Sequence, residues 1–296
     1  MKLVKFGIVA SESEKAKELS KKVEKFLESH GHEVLKEKLD GVDVVLTLGG
    51  DGTLIHSVCK YIELNVPFFG INVGTLGFLT AEEENDWEKA VKKIVAGDYV
   101  VSERMTVEAW IDEAHPRGEL SRGQAHPAGG NGIFRSVNEI VVKGMYRVVD
   151  LEILVNGQRF MEVTGDGLIV STQTGSTAYS LSAGGPIVDP DLDCLVMTPV
   201  NAHGLPVPSV VLSPDDEVEV KVVEGQDVSL IIDGQEHTKV EAGQSVKVER
   251  GKHTVKLGYF DEHHFLKALN GKFGFALRRT QGSPRRFSLK GKQAGL

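Results

Sequence analysis

The chain has 296 residues, 41% of them hydrophobic, and a formal net charge of −8. That is apolar material for two modest domains or one large one. The acidic balance argues against a protein built to hold nucleic acid, so no nucleic-acid partner is expected and an anionic ligand needs a locally built site.

Cys59 and Cys194 lack CxxC spacing and write neither a zinc knuckle nor a disulfide framework. The apolar run at the N-terminus is too short for a signal peptide, and no stretch reaches membrane-spanning length. The expectation is a soluble cytoplasmic protein with no membrane partner.

The first hundred residues alternate short apolar runs with helical patterns, which predicts an α/β domain with a Rossmann-like parallel sheet. Leu3 to Val9 reads as the first strand. Ser11 with Glu14 suggests a capping box, and Ala16, Leu19, Val23, Phe26 and Leu27 mark one face of a helix that Gly31 ends. Strands follow at Val42 to Leu48 and Pro67 to Val73, with helices at Leu54 to Ile62 and along Trp87, Val91, Ile94 and Val95.

Beyond residue 100 the period becomes alternating, as in Val218 to Val222 and Val228 to Ile232, which predicts a mostly-β second domain. Asn156-Gly157 has the residue types of a tight hairpin turn, and Asp233-Gly234 reads the same way. His115 to Asn131 is too poor in apolar residues to pack and reads as a mobile loop. The basic run from Arg278 to Leu296 reads as a disordered tail.

Val44 to Leu48 runs straight into Gly49-Gly50-Asp51-Gly52-Thr53 and then a helical pattern. The loop therefore sits at the carboxyl end of a sheet strand, where open α/β sheets bind ligands. Gly49, Gly50 and Thr53 make a phosphate loop whose N–H groups approach phosphate oxygens, helped by the positive end of the next helix. No lysine follows, so it is not a Walker loop. Asp51 repels phosphate unless it does chemistry, as base for an attacking hydroxyl or as a magnesium ligand; the plain alternative is a helix N-cap. His56, further along the helix, reads equally as a phosphate contact or as a half-exposed histidine.

A second cluster, Thr172 to Pro186, concentrates hydroxyls, glycines and Tyr179 after an apolar strand, Leu168 to Ser171. Small hydroxyl residues at such a turn suit ribose and phosphate, and Tyr179 can stack on a base. Gly165-Asp166-Gly167 and Asn138-Glu139 are each ordinary turn signals alone. His263-His264 has no spaced partner for a metal, and no metal ligand is assigned to any protein side chain.

Together, Gly49 to Thr53, Gly74 to Leu79, Asn138-Glu139, Gly165 to Gly167 and Thr174 to Pro186 resemble the NAD kinase family in order and separation. The glycine loop alone is shared with lipid kinases and phosphofructokinases; the long second cluster is specific. The resemblance implies transfer of the ATP γ-phosphoryl group, or that of another donor such as polyphosphate, to the 2′-hydroxyl of the adenosine ribose of NAD, with Mg2+ or another divalent cation. Asp51 is then the base. The NAD-binding set is Gly52, His56, Phe78, Asn138, Glu139, Asp166, Thr177, Ala178, Tyr179, Ser180, Leu181, Ser182, Asn201 and Gln235.

The resemblance further implies a homo-oligomer, dimer or tetramer, assembled through the β domain. It implies an α/β domain of residues 1–100 plus about 268–280, where the chain crosses back, a β-rich NAD-binding and oligomerisation domain of 101–267, and a tail from 281. Two departures stand out. Gln173 occupies a place where the family often has proline, and Thr164 one where many members have a basic residue, which removes a phosphate contact. The rival readings are a lipid or sugar kinase, which the hydroxyl-rich cluster opposes, and a non-catalytic NAD sensor, which gains nothing from Asp51.

Overall fold

The computed structural model describes residues 3–74, 77–112, 132–204 and 206–274. The expected loop His115 to Asn131, the tail and residues 275–280 of the expected crossing lie outside the described residues.

The first sheet contains β1 (Lys5–Ala10), β2 (Glu33–Leu35), β3 (Val44–Gly49), β4 (Pro67–Asn72), β5 (Glu82–Glu83) and β6 (Val100–Arg104). Its strands lie in the order β2-β1-β3-β4, with every one of those pairings parallel. Each residue of β3 is buried, as expected of a strand covered on both faces. The chain departs from β1 on one side and from β3 on the other, so the loop after β3 opens at the topological switch point.

Helix α1 (Glu14–Ser29) buries the predicted stripe of Ala16, Leu19, Val23 and Leu27. Its cap differs from expectation: the N-cap is Ser13, whose Oγ accepts from Ala16 N, while the Ser11 hydroxyl contacts the Ser13 hydroxyl. Ser13 stands three residues before the N–H it satisfies, the spacing a cap requires. Helix α2 (Asp51–Lys60) begins three residues before its predicted start, within the glycine loop itself. Helix α3 is Trp87–Ala96.

The second domain is a β-sandwich. One sheet joins β7 (Val107–Asp112), β8 (Phe134–Ser136), β10 (Val149–Val155), β11 (Gln158–Gly165), β15 (Val218–Glu224) and β18 (Ser245–Arg250). The other joins β9 (Glu139–Gly144), β12 (Gly167–Thr172), β13 (Leu195–Val200), β14 (Val210–Leu212), β16 (Val228–Ile232) and β17 (Gln235–Lys239). Inward residues of both sheets, among them Ile153, Val220 and Val246 against Ile140, Leu168 and Leu230, share one core. The Asn156-Gly157 turn closes β10 on β11 with φ of 51° and 73°, and Asp233-Gly234 closes β16 on β17 with 46° and 78°. A four-residue helix, α4 (Tyr179–Ser182), follows β12.

The chain then returns to the first sheet. Strand β19 (Val255–Tyr259) inserts between β4 and β6, parallel to the former and antiparallel to the latter. Helix α5 (His264–Phe273) follows it. The strand that makes this return thus precedes the 268–280 segment. The architecture is an α/β domain with a Rossmann-like sheet joined to a mostly-β domain.

Candidate active site

Asp51 is the first residue of α2, and Gly50, which has no side chain, holds the N-cap position. The Asp51 carboxylate turns across to the Gly77–Thr80 segment instead of capping its own helix. Its Oδ2 accepts from Phe78 N at 2.6 Å, and its Oδ1 from Leu79 N and Thr80 N, both at 3.1 Å. Gly77 makes this approach feasible, because a Cβ there would lie 2.0 Å from Oδ1. An ionised carboxylate has about four lone-pair directions, so three N–H donors fix its orientation and leave about one free.

The segment is anchored from behind. His264 Nε2 lies 3.2 Å from the Phe78 carbonyl, and the His264 ring stacks on Tyr259 with centroids 4.3 Å apart. Burial lowers the His264 pKa, which favours the neutral ring that donates from Nε2. Burial pushes the Tyr259 phenol up to about 12, so it stays protonated.

In the second domain Glu139 is the first residue of β9 and Asn138 precedes it, both buried. Asn138 Oδ1 and Glu139 Oε2 have no partner among the described residues. A buried acceptor without a donor costs about 1–3 kcal/mol. Burial, reinforced by the charge of Asp233, raises the Glu139 pKa to about 8.

The sequence reading missed Asp233. Its carboxylate accepts from Ser136 Oγ at 2.5 Å and from the N–H groups of Val137, Asn138 and Glu139 at 3.1, 2.8 and 3.2 Å. It also accepts from Cys59 Sγ at 3.3 Å, tying α2 to the hairpin turn. Asp-Gly is an ordinary turn signal, and nothing in the sequence marks it as organising the approach to Asn138 and Glu139.

The second cluster reaches the same place. A Cβ on Gly175 would sit 2.1 Å from the Asn138 carbonyl, so the turn after β12 packs directly on the start of β9. Several of its hydroxyls are structural. Ser176 Oγ donates to Gln173 O and accepts from Val188 N, and the fully buried Ser180 hydroxyl pairs with Thr198 Oγ1 at 2.9 Å. Thr177, Ala178, Tyr179 and Leu181 are half-buried and Ser182 is exposed. Tyr179 Oη lies 3.4 Å from Lys143 Nζ.

Asp166 and Asn201 form a pair of their own, with Asn201 Nδ2 donating to Asp166 Oδ2 at 2.7 Å. Two hollows flank the loop. A cavity of about 430 Å3 has Phe78, Leu79, Gln173, Thr174, Thr177, Tyr259 and His264 in its walls. A groove of about 340 Å3 lies between α2 and the β16–β17 hairpin, with Gly52, His56 and Gln235 in it. Among the described residues no group of three or more His, Cys, Asp or Glu side chains is placed to hold a metal.

The family model described as the ATP-NAD kinase N-terminal domain matches residues 6–99, and that described as the ATP-NAD kinase C-terminal domain matches residues 136–258. The NAD kinase of Geotalea daltonii is 37% identical over 271 residues, covering 89% of this chain and 90% of that one. That of Geobacter metallireducens is 36% identical over 244 residues, covering 81% of each. Among solved structures, an NAD kinase from Archaeoglobus fulgidus in complex with ATP superposes with a TM-score of 0.71 at 27% identity, covering 90% of this chain and 98% of that one. Yeast NADH kinase complexed with NADH gives 0.79 at 20% identity, covering 92% and 88%, a likeness of fold. With both domains matched in order and relatives of this identity aligned over most of their length, the chain belongs to the NAD kinase family.

Proposed function

We propose that the protein is an NAD kinase that transfers the γ-phosphoryl group of ATP, or of another donor such as polyphosphate, to the 2′-hydroxyl of the adenosine ribose of NAD. The observation that carries this reading is the Asp51 carboxylate, held by three N–H groups beside a glycine loop at the switch point of the sheet. A carboxylate this constrained can take the ribose proton in one fixed direction, and general-base assistance contributes typically ~10²–10⁴-fold. The remainder comes from positioning. The N–H groups at the start of α2 orient the transferred group for in-line attack, and the ribose is held by Asn138, Glu139 and the Thr177–Ser182 turn. Asp166, with Asn201 bonded to it, serves the nicotinamide end.

Mg2+ or another divalent cation, when bound, neutralises charge on the phosphate chain. Mg2+ typically takes only one or two protein carboxylates and the rest of its ligands from phosphate and water, and Asp51 is the carboxylate at the glycine loop that could serve it. The half-exposed and exposed Met145, Tyr146, Val148, Phe160 and Val223 of the β domain support a homo-oligomer, dimer or tetramer. Free Cys59 and Cys194 fit a reducing cytoplasm. No helix among the described residues is long and apolar enough to cross a membrane.

The test is incubation of purified protein with NAD, ATP and magnesium, with the product read by a dehydrogenase strictly dependent on NADP. NADP formation is expected. Binding of NAD without any product, over a panel including inorganic polyphosphate, would replace this reading with that of an NAD sensor.

A further inference from the structure

Arg104 is the last residue of β6, at the sheet edge, and only 5% of it is exposed. Its side chain reaches the Tyr259 hydroxyl, a neutral partner. Two of its nitrogens, Nε and Nη1, are buried and find no partner among the described residues. Removing a guanidinium from water is costly unless a counter-charge or hydrogen bonds replace that water. A folded protein keeps such a group where something else supplies the anion.

Arg104 lines the 430 Å3 cavity beside the Asp51 segment. Two other walls of that cavity carry orphaned atoms as well: Gln173 Oε1 and Thr174 Oγ1, both buried in the turn after β12. The Gln173 amide is oriented by its Nε2, which donates to Asp193 Oδ1 at 2.9 Å, so its oxygen is left to accept. One cation, one hydroxyl able to donate and one fixed acceptor belong to residues that line the same cavity, with these atoms beneath its surface. An anionic oxygen cluster satisfies the first two, and a hydroxyl or amino group on the same ligand satisfies the third.

Five acidic residues also border this cavity: the half-buried Asp261, which pairs with Lys267, and Glu103, Asp189, Asp191 and Glu262. The last four are exposed, so water and salt screen them, whereas Arg104 is buried. Deeper in, the charge of Asp51 acts on the same Tyr259 and His264 walls as that of Arg104, but the Asp51 carboxylate is taken up by three N–H groups whereas the guanidinium keeps two nitrogens without an acceptor among the described residues.

We propose that Arg104, with Thr174 beside it, holds a phosphate group of a bound nucleotide in this cavity. The inference rests on the kinase reading for the identity of the nucleotides, of which two carry suitable phosphates: the phosphoryl donor and the dinucleotide acceptor. Arg104 is a binding residue in this account; the proton is taken elsewhere, at Asp51.

The experiment is calorimetric titration of wild type, Arg104→Gln and Arg104→Lys with inorganic tripolyphosphate, ATP and NAD, each alone, together with ligand-free melting curves. Arg104→Gln should weaken at least one of the three ligands tenfold or more. Loss confined to tripolyphosphate and ATP assigns the donor, and loss confined to NAD assigns the acceptor diphosphate. The ligand-free Tm should fall little, because the partner given up is the neutral Tyr259 hydroxyl, to which a Gln amide can also donate; a purely structural arginine would instead lower Tm and leave the affinities alone. Wild-type affinity of Arg104→Gln for all three ligands would overturn the proposal.

Should Arg104→Gln fail to fold, Arg104→Lys decides. It keeps the charge but loses the planar fork, so it should weaken the same ligand at least threefold, and unchanged binding would overturn the proposal. These outcomes are separate from the fate of the kinase reading. Wild-type NADP formation with Arg104-independent binding removes only this inference, whereas Arg104-dependent binding without NADP formation removes only the reading.

Discussion

Asp51 and Asp233 are both aspartates flanked by glycine, and the sequence distinguishes them only in part. Asp51 lies in a five-residue loop after a buried strand, a context that already implies chemistry. The partners that hold it, the N–H groups of Phe78 to Thr80, are invisible in sequence because backbone groups carry no residue signature. Asp233 carries a turn signature and does form a turn, yet its carboxylate also gathers Ser136, three successive N–H groups and Cys59.

Asp233→Ala should therefore destabilise the fold by about 2–4 kcal/mol, since several part-buried donors lose their acceptor. Urea denaturation measures this, and a change within the error of the midpoint would show the network to be dispensable. Glu139 supplies a pH dependence. Its folded pKa, about 8, lies above the ordinary value of 4.5, so from pH 4.5 to 8 the unfolded chain releases a proton that the folded one retains. Stability from this group is full below pH 4.5, falls as pH rises to about 8 and is flat beyond. Glu139→Gln should remove that slope and gain on wild type by a few kcal/mol at most between those limits, read from melting curves without ligand.

At the level of elements, helices α1 to α3 and strands such as β1, β3, β4, β12, β15 and β16 were legible because burial on two faces and on one face writes different periods, whereas β19 and α5, where the chain returns to the first sheet, were not read as elements. What could not be read was which loops touch. The Gly77–Thr80 segment docks on Asp51 and the turn after β12 docks on Asn138, and both contacts depend on a missing side chain. Gly77→Ala should cut turnover at least about 100-fold, since its Cβ would lie 2.0 Å from Asp51 Oδ1 and the segment must withdraw from the carboxylate. Gly175→Ala meets backbone at 2.1 Å and should cost about 1–3 kcal/mol of stability as well as NAD affinity. Retained turnover in the first variant, or wild-type melting and NAD binding in the second, would show that these approaches relax freely. Ser180 makes the converse point: it sits within a motif rich in candidate ligand groups, yet its hydroxyl is buried against Thr198.

Over the whole molecule, the β-sandwich hangs on the α/β sheet by two chain crossings, after β6 and before β19, and Cys59 to Asp233 adds a side-chain tie. Residues from positions as distant as 51, 138, 177 and 264 thereby converge on one loop. Light scattering on the purified protein should report a dimer or tetramer, and a monomer at micromolar concentration would contradict assembly through the β domain.

The most direct test of the account is Asp51→Asn, which keeps the size of the side chain and, with its oxygen in the Oδ1 position, the bonds from Leu79 N and Thr80 N, while removing the charge and the acceptor for Phe78 N. With NAD, ATP and magnesium, wild type should form NADP, and the variant should bind NAD with similar affinity while turning over at least about 100-fold more slowly. An Asp51→Asn protein that makes NADP at the wild-type rate would contradict the assignment of Asp51 as the base.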